Sequence, residues 1–334
     1  MSNTTATATA AAIRFEAIDQ VSLHQYDLPE LRDNEIQIQT EYSGISQGTE
    51  IWALQGRRPE LQFPTVPGYQ AVGRIEACGA DVTGYAPGQR VLFTTSRLPA
   101  EASTDTWMGA HVSHAVVPIG AGDQPVILDD AINPRAAALA ALPAVSLRGV
   151  QMLTINPGDC VVVCGMGLIG QSSAQIASAA GGVIIAVDLD HERLAKAKVC
   201  GAARAVAPSE LAAAVTAIKP GGADVVIDTT GRSPALTEAV DLLRIEGQIL
   251  LQAWYPEPIS FDFHHVHMKR PHIAISCGVG SIPETLHLMR YHKLDLEPLI
   301  SHVVPPSEAP AIYRRMAERD SDVLGVVFDW TGAV

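Results

Sequence analysis

The chain has 334 residues, 47% of them hydrophobic and 18% charged, and its net charge is −13. This length predicts two domains with ample material for a core. The acidic balance argues against nucleic acid or an anionic membrane as a partner. No apolar run reaches the roughly 18 residues of a transmembrane helix.

The cysteines are scattered along the chain, and the usual paired spacing of a zinc site is absent. This usage is typical of free thiols in a reducing compartment, so we expect a cytoplasmic protein. The cysteines are Cys78, Cys160, Cys164, Cys200 and Cys277.

The first part of the chain predicts a tail followed by a β domain. The opening MSNTTATATAAA has neither a basic start nor an apolar middle, so it is interpreted as a disordered tail, residues 1–12, and not a signal sequence. Residues 13–135 contain short β-type runs such as IQIQTEYSG and AVGRIEACG, broken by Gly and Pro. This pattern predicts a compact, barrel-like β domain.

The pattern then changes to alternating strands and helices over residues 136–297. Apolar strands such as CVVVCG and VIIAVD are each followed by a helical segment, which predicts a parallel sheet covered on both faces. The end of the chain, residues 298–334, returns to strand, helix and strand, and we expect it to rejoin the first domain.

A glycine motif predicts a dinucleotide site in the second domain. Gly165, Gly167 and Gly170 follow an apolar strand and open an alanine-rich helix, the context that gives G-x-G-x-x-G its meaning. Gly165 permits the tight turn, Gly167 lets the backbone approach a pyrophosphate, and Gly170 lets helix and strand pack closely. The helix N-terminus favours the phosphates.

Asp188 predicts which cofactor is bound. It ends the next strand, 23 residues beyond Gly165, where an acid binds the ribose diol and repels a 2′-phosphate. Asp190 adds to that repulsion. The nearest arginine, Arg193, lies in the following helix and is included among the predicted cofactor contacts. The sequence therefore predicts NAD and not NADP.

These motifs together resemble the medium-chain dehydrogenase/reductase family, from about residue 13 to residue 331. The segments that carry the resemblance are VPGYQAVGRIEACGADVTGYAPGQRV, PGDCVVVCGMGLIGQ, DVVIDTTG and GQILLQAW. The resemblance implies an α/β chain with a GroES-like β-barrel catalytic domain, formed by both chain ends, and a Rossmann doubly wound domain between. It also implies cofactor contacts at Leu168, Ile169, Thr229 and Gln252.

The positions of the family's zinc ligands hold other residues here. The resemblance aligns Ser46 with a ligand cysteine, Tyr69 and Gln70 with a His-Glu pair, and Ala140 or Ala141 with the third ligand. Residues 91–117 contain none of the cysteines that hold a structural zinc. We therefore predict no metal. SGISQGTE, VPGYQ and the final VVFDW are similar to a zinc-less branch that includes the dehydrogenase of a bacteriochlorophyllide hydroxyethyl group.

Without zinc, side chains must handle the substrate's proton. By the resemblance, Tyr69 should face the nicotinamide, where it either acts in catalysis or fills the space of the metal. Glu50 is either a general base, if burial raises its pKa, or the acidic first turn of a helix. Ser46 is a further catalytic candidate, as a link with Tyr69 in a proton relay. Ser46 and Gln70 either hydrogen-bond substrate hydroxyls or satisfy each other, and Thr49 is a candidate for substrate binding.

Histidines offer a second set of candidates. His111 either lines the substrate site or is an ordinary surface or strand histidine. The segment FHHVHMKRPH has a His-x-His pair that suggests a metal, but we expect these histidines at the surface or at a subunit contact. They are His264, His265, His267 and His272.

Three functions remain open at this point. The leading hypothesis is an NAD-dependent dehydrogenase without zinc, acting on a secondary alcohol of a cyclic polyol, a sugar derivative or a hydroxyethyl side chain. The alternatives are a quinone or enone reductase, and an NAD-binding protein without turnover. The apolar segment IAISCGVG predicts a covered sheet edge and a homodimer.

Overall fold

The computed structural model describes residues 9–104, 108–120, 122 and 124–332. They divide into two compact units: the residues up to Ala140 with those from Ile300 onward, and Ala141–Leu299. The boundaries expected from sequence were 135/136 and 297/298. Within the described ranges, no helix is long and apolar enough to cross a membrane.

Both units are built from short elements. The strands are β1 (Thr9–Ala17), β2 (Gln20–Asp27), β3 (Glu35–Gly44), β4 (Ala71–Cys78), β5 (Arg90–Phe93), β6 (His114–Pro118), β7 (Val126–Ile127), β8 (Cys160–Cys164), β9 (Val183–Val187), β10 (Arg204–Val206), β11 (Ala223–Asp228), β12 (Leu243–Leu251), β13 (His272–Ile275), β14 (Ile300–Val304) and β15 (Gly325–Asp329). The helices are α1 (Gln47–Leu54), α2 (Pro134–Ala137), α3 (Ala141–Val150), α4 (Leu168–Ala179), α5 (His191–Val199), α6 (Leu211–Ile218), α7 (Ala235–Leu242), α8 (Phe263–Lys269), α9 (Ile282–Arg290) and α10 (Ala309–Ala317).

The first unit is the predicted GroES-like β unit. Its main sheet has the order β14-β15-β3-β4-β5-β7, and β6 pairs with β3 off this path. The C-terminal strand β15 runs antiparallel to β3, and β14 runs parallel to β15. The last segment of the chain therefore shares a sheet with strands β3 to β7, whereas β1 and β2 form a separate two-stranded sheet.

The N-terminal tail prediction was wrong for its last four residues. β1 begins at Thr9 and pairs antiparallel with β2. Ala10, Ala11 and Ala12 are fully buried. Small methyl groups pack where the chain lies close to its neighbours. The Ala11 N–H donates to Ser113 Oγ at 2.9 Å, and the Ala11 carbonyl accepts the Ser113 N–H at 2.7 Å. These contacts are distant in sequence, so composition alone did not reveal them. Residues 1–8 lie outside the described residues.

The second unit is the predicted Rossmann sheet. Its strand order is β10-β9-β8-β11-β12-β13, and every pairing is parallel. This is the 3-2-1-4-5-6 order of dinucleotide-binding folds. Both faces of the sheet are covered: Val161 and Val163 of β8 join one buried cluster, and Cys160 and Val162 join the other. Burial on both faces explains why these strands are continuously apolar.

Candidate active site

Two hydroxyl groups meet at the start of α1 in the first unit. Ser46 is the N-cap residue of α1 and lies two residues after the end of β3, and Tyr69 lies two residues before the start of β4. The Tyr69 hydroxyl donates to Ser46 Oγ over 2.6 Å. The Gly44 N–H donates to the Gln70 carbonyl at 3.0 Å, which ties the two segments together. The positions that the resemblance aligned with two zinc ligands are therefore adjacent in space.

The environment of Tyr69 keeps its hydroxyl protonated. Burial raises the pKa of Tyr69 above its ordinary value near 10, and the negative charge of Glu50 raises it further. Hydrogen bonds with Ser46 and Thr49 lower the pKa but do not cancel this effect. A tyrosine in this state acts as a hydrogen-bond donor at neutral pH.

Glu50 lies in the first turn of α1 and is fully buried. Its Oε1 accepts the Ser46 backbone N–H at 2.8 Å. Its Oε2 accepts the hydroxyl of Tyr313 and lies 3.1 Å from His111 Nε2. Of the two hypotheses for Glu50, this geometry favours the helix-start role, because the carboxylate oxygens are engaged by the protein and have no exposed surface.

His111 is fully buried, so the alternative of a surface histidine was wrong. Its Nδ1 lies 2.8 Å from Ser43 Oγ, and its ring packs edge-on against Phe328. A Cβ at Gly68, which has a φ of +90°, would approach the His111 ring to 2.7 Å. The loop before Tyr69 therefore requires glycine, because the imidazole lies directly against its backbone.

The nucleotide turn of the second unit has the geometry expected of its three glycines. Gly165 has a φ of +89°, and a Cβ there would lie 2.8 Å from Thr229 Oγ1. A Cβ at Gly170 would lie 1.7 Å from the Gly165 carbonyl oxygen, so helix and turn touch there. A Cβ at Gly167 meets nothing within 4 Å. Open space beside Gly167 at the N-terminus of α4 fits a pyrophosphate.

Asp188 is partly exposed after β9. Its Oδ2 accepts the Met166 N–H at 2.5 Å and its Oδ1 accepts the Asp190 N–H at 2.9 Å. Each carboxylate oxygen accepts more than one hydrogen bond, so this arrangement orients the acid and still permits contact with a ribose diol. Arg193 Nε lies 3.7 Å from Asp190 Oδ2.

The remaining predicted cofactor contacts differ in their surroundings. Leu168 and Ile169 form the first turn of α4, whose backbone N–H groups have no intrahelical partner. Thr229 Oγ1 hydrogen-bonds the carbonyls of Cys164 and Gly165 and so holds the glycine turn. The Gln252 amide binds Ser173 Oγ and the Val145 carbonyl, so its side chain joins α3, α4 and β12.

The residues at the family's zinc positions do not fit a catalytic zinc. Ser46 and Tyr69 offer hydroxyls and Gln70 an amide, all poor zinc ligands. Ala140 and Ala141 are buried methyl groups. Among the described residues, no three or more His, Cys, Asp or Glu side chains are grouped to hold a metal.

The histidine-rich segment comprises helix α8 and the start of the edge strand β13 in the second unit. His264, His265 and His267 lie in α8, and His272 begins β13. Asp262 caps α8 by accepting the N–H groups of His264 and His265. His265 Nε2 lies 3.4 Å from Asp241. These contacts are typical of the exposed start of a helix, and His264, His267 and His272 are exposed.

Comparison with protein families agrees with both units. Residues 32–124 match the model of the alcohol dehydrogenase GroES-like domain, and residues 169–290 match that of the zinc-binding dehydrogenases. The chain belongs to the medium-chain dehydrogenase family.

Among curated relatives, a sorbitol dehydrogenase from Halalkalibacterium halodurans is 29% identical over 84% of this chain and 88% of its own. The 2-desacetyl-2-hydroxyethyl bacteriochlorophyllide A dehydrogenase of Cereibacter sphaeroides is 29% identical over 93% of this chain and 95% of its own. The predicted likeness to this bacteriochlorophyllide dehydrogenase is confirmed, at the same identity as the likeness to the sorbitol dehydrogenase.

Two solved structures have the same fold. A putative zinc-binding dehydrogenase from Sinorhizobium meliloti 1021 bound to NADP has a TM-score of 0.85 at 22% identity, covering 96% of this chain and 99% of its own. A short chain alcohol dehydrogenase from E. coli CFT073 complexed with NADH has a TM-score of 0.82 at 21% identity, with the same coverage.

Proposed function

We propose that the chain is an NAD(H)-dependent dehydrogenase that interconverts a secondary alcohol and a ketone without zinc. The observation that carries the proposal is the 2.6 Å hydrogen bond between Tyr69 and Ser46. Two positions aligned with metal ligands hold a pair of hydroxyls, which can bind a substrate oxygen and move its proton. The glycine turn and Asp188 support NAD as the cofactor.

Bound NAD(H) supplies the hydride acceptor or donor. The protein must then hold the substrate oxygen and supply or remove its proton. Tyr69 is a protonated donor at neutral pH, so it donates a hydrogen bond to a carbonyl oxygen. Ser46 can reverse its role and donate to Tyr69 when the tyrosine proton turns to the substrate, because a hydroxyl both donates and accepts. The Thr49 hydroxyl is a further group that can accept or donate the proton that Tyr69 exchanges with the substrate oxygen.

The names of two relatives support the proposed substrate class. A sorbitol dehydrogenase and a hydroxyethyl bacteriochlorophyllide dehydrogenase each act, by their names, on a hydroxyl-bearing compound. We infer a secondary alcohol of a polyol, a sugar derivative or a hydroxyethyl side chain. The five free cysteines favour a reducing compartment such as the cytoplasm.

We also infer a homodimer. β13 is the outer strand of the parallel sheet among the described residues. Ile275 is 72% exposed and Ile273 41% exposed on this strand. An unpaired apolar edge favours pairing with a second copy across a two-fold axis.

The test is NADH oxidation by the purified protein against a panel of ketoses, cyclic ketones and acetyl-substituted rings. We expect turnover of one such class, unchanged after dialysis against a chelator, and well under one zinc per chain by elemental analysis. Tight NADH binding with no turnover would instead indicate a nucleotide-binding protein. Preference for NADPH and enones would indicate a reductase, and stoichiometric zinc after dialysis would contradict zinc independence.

A further inference from the structure

A buried hydrogen-bond network surrounds Glu50 in the first unit. Tyr313 of α10 donates to Glu50 Oε2, and His111 Nε2 lies 3.1 Å from the same oxygen. His111 Nδ1 lies 2.8 Å from Ser43 Oγ, which also accepts the Trp330 indole N–H at 2.9 Å. Glu50, Tyr313, His111 and Ser43 are each fully buried.

This network fixes the carboxylate from several separate segments. Tyr313 packs edge-on against Phe15 with ring centroids 5.0 Å apart, and the His111 ring packs edge-on against Phe328. Neither donor can move without displacing core side chains, because protein interiors are close-packed. The position of Glu50 is therefore set by the core and not by α1 alone.

Glu50 in turn fixes both backbone groups of Ser46. Its Oε1 accepts the Ser46 N–H at 2.8 Å, and its own N–H donates to the Ser46 carbonyl at 2.9 Å. Ser46 Oγ is the acceptor of the Tyr69 hydroxyl. A displacement of Glu50 is thus transmitted to the pair of hydroxyls.

We propose that Glu50 is a positioning residue that fixes the Ser46 turn and thereby aims the Tyr69 hydroxyl at the substrate oxygen. This inference rests on the proposed function. Glu50 transfers no proton in this role, because its link to Ser46 runs through a backbone amide that keeps its hydrogen.

The network also has an electrostatic consequence. Ser46 and Thr49 hydrogen-bond the Tyr69 hydroxyl, and the charges of Glu50 and Arg58 act on it. The negative charge of Glu50 raises the pKa of Tyr69, and the positive charge of Arg58 lowers it. Removal of the Glu50 charge should therefore lower the pKa of Tyr69, and a fall in kcat at unchanged NADH affinity distinguishes positioning of Tyr69 from a capping role alone.

The experiment is Glu50→Gln in the full chain, with tyrosine labelled at the ring carbon that bears the hydroxyl. The NMR signal of Tyr69 is assigned by its loss in Tyr69→Phe, and its titration is followed with pH. We expect the Tyr69 titration to move to lower pH and the kcat of ketone reduction to fall by about 10²-fold, the scale of a misplaced reacting group. NADH affinity should not change.

A second variant and a control complete the design. Tyr313→Phe keeps the ring in the core and removes one hydrogen bond to Glu50, so we expect a shifted Tyr69 signal and a smaller fall in kcat. Glu35→Gln alters another buried glutamate, paired with Arg97, and should lower stability while leaving the Tyr69 signal and kcat unchanged.

The outcomes separate the two proposals. A folded Glu50→Gln protein with an unchanged Tyr69 titration and unchanged kcat would overturn the positioning role. If Glu50→Gln does not fold, Tyr313→Phe decides by the same two readouts. Absence of turnover in the unaltered protein would defeat the proposed function, whereas the Tyr69 titration would still show whether Glu50 controls Tyr69.

Discussion

The hydroxyl groups of Tyr69 and Ser46 are 2.6 Å apart although 23 residues separate them in the chain. Backbone hydrogen bonding between Gly44 and Gln70 holds the two segments together. Neither side chain is a good zinc ligand, but together they form a donor–acceptor pair suited to a substrate oxygen.

Tyr69→Phe tests this pair directly. The substitution keeps the ring and removes the hydroxyl, so hydride transfer in a single turnover should slow by about 10²-fold, the usual scale for a positioned acid or base. Tyr85→Phe is a matched control, because Tyr85 also loses one hydrogen bond, to the Pro125 carbonyl. An unchanged rate in Tyr69→Phe would make Tyr69 a packing residue.

The glycine turn predicts two different outcomes for two alanine substitutions. Gly167→Ala should weaken NADH binding without lowering the free energy of unfolding, because its Cβ meets no protein atom and its φ of −71° suits alanine. Gly170→Ala should lower stability as well, since its Cβ would clash with the Gly165 carbonyl. Calorimetry and thermal unfolding measure both effects. Unchanged NADH affinity in Gly167→Ala would contradict the pyrophosphate assignment.

Asp188 should make the protein prefer NADH to NADPH. Asp188→Asn removes the charge that repels a 2′-phosphate but keeps an acceptor for the Met166 N–H. We expect the ratio of the NADPH and NADH dissociation constants to fall by at least about tenfold, which corresponds to about 1.4 kcal/mol. Titration calorimetry with both cofactors is the measurement, and equal affinities in the unaltered protein would rule out this role of Asp188.

The exposed edge strand β13 predicts the oligomeric state. Light scattering of the unaltered protein at micromolar concentration should give twice the mass of one chain. Ile275→Lys should produce a monomer, because it buries a charge in the paired edge. Ile18→Lys, at an exposed isoleucine of the other unit, should remain a dimer. A monomeric unaltered protein would refute the prediction.

His302 should make stability depend on pH. Burial and the neighbouring Arg315 lower the pKa of His302, with Asp320 and Asp322 partly opposing, and Arg315 Nη1 lies 3.0 Å from His302 Nε2. The unfolded chain binds the His302 proton more readily than the folded chain does. The contribution of His302 to the free energy of unfolding is therefore fully present above about pH 6.5 and is lost as the pH falls below that value. Denaturant unfolding of the unaltered protein and His302→Gln should diverge in this range. If the free energies of unfolding of the two proteins depended on pH in the same way, this role of His302 would be contradicted.

The fold was predictable where its signals are local. The parallel sheet follows from apolar strands alternating with helices, and β8, the glycine turn and α4 are adjacent in sequence. β1 was missed over residues 9–12, because Ala10, Ala11 and Ala12 have no hydrophobic pattern and are buried only by their neighbours.

The sequence by itself determined the two kinds of domain and the dinucleotide turn, because these depend on periodicity and on short motifs whose residues touch within one or two elements. The family came from the resemblance of those motifs to known dehydrogenases. Only the tertiary structure decided what surrounds Tyr69 and Glu50. His111 lies 61 residues from Glu50 and Tyr313 lies 263 residues away. Their contacts arise from the packing of β3, α1 and α10 in one core, which no local pattern in the sequence encodes.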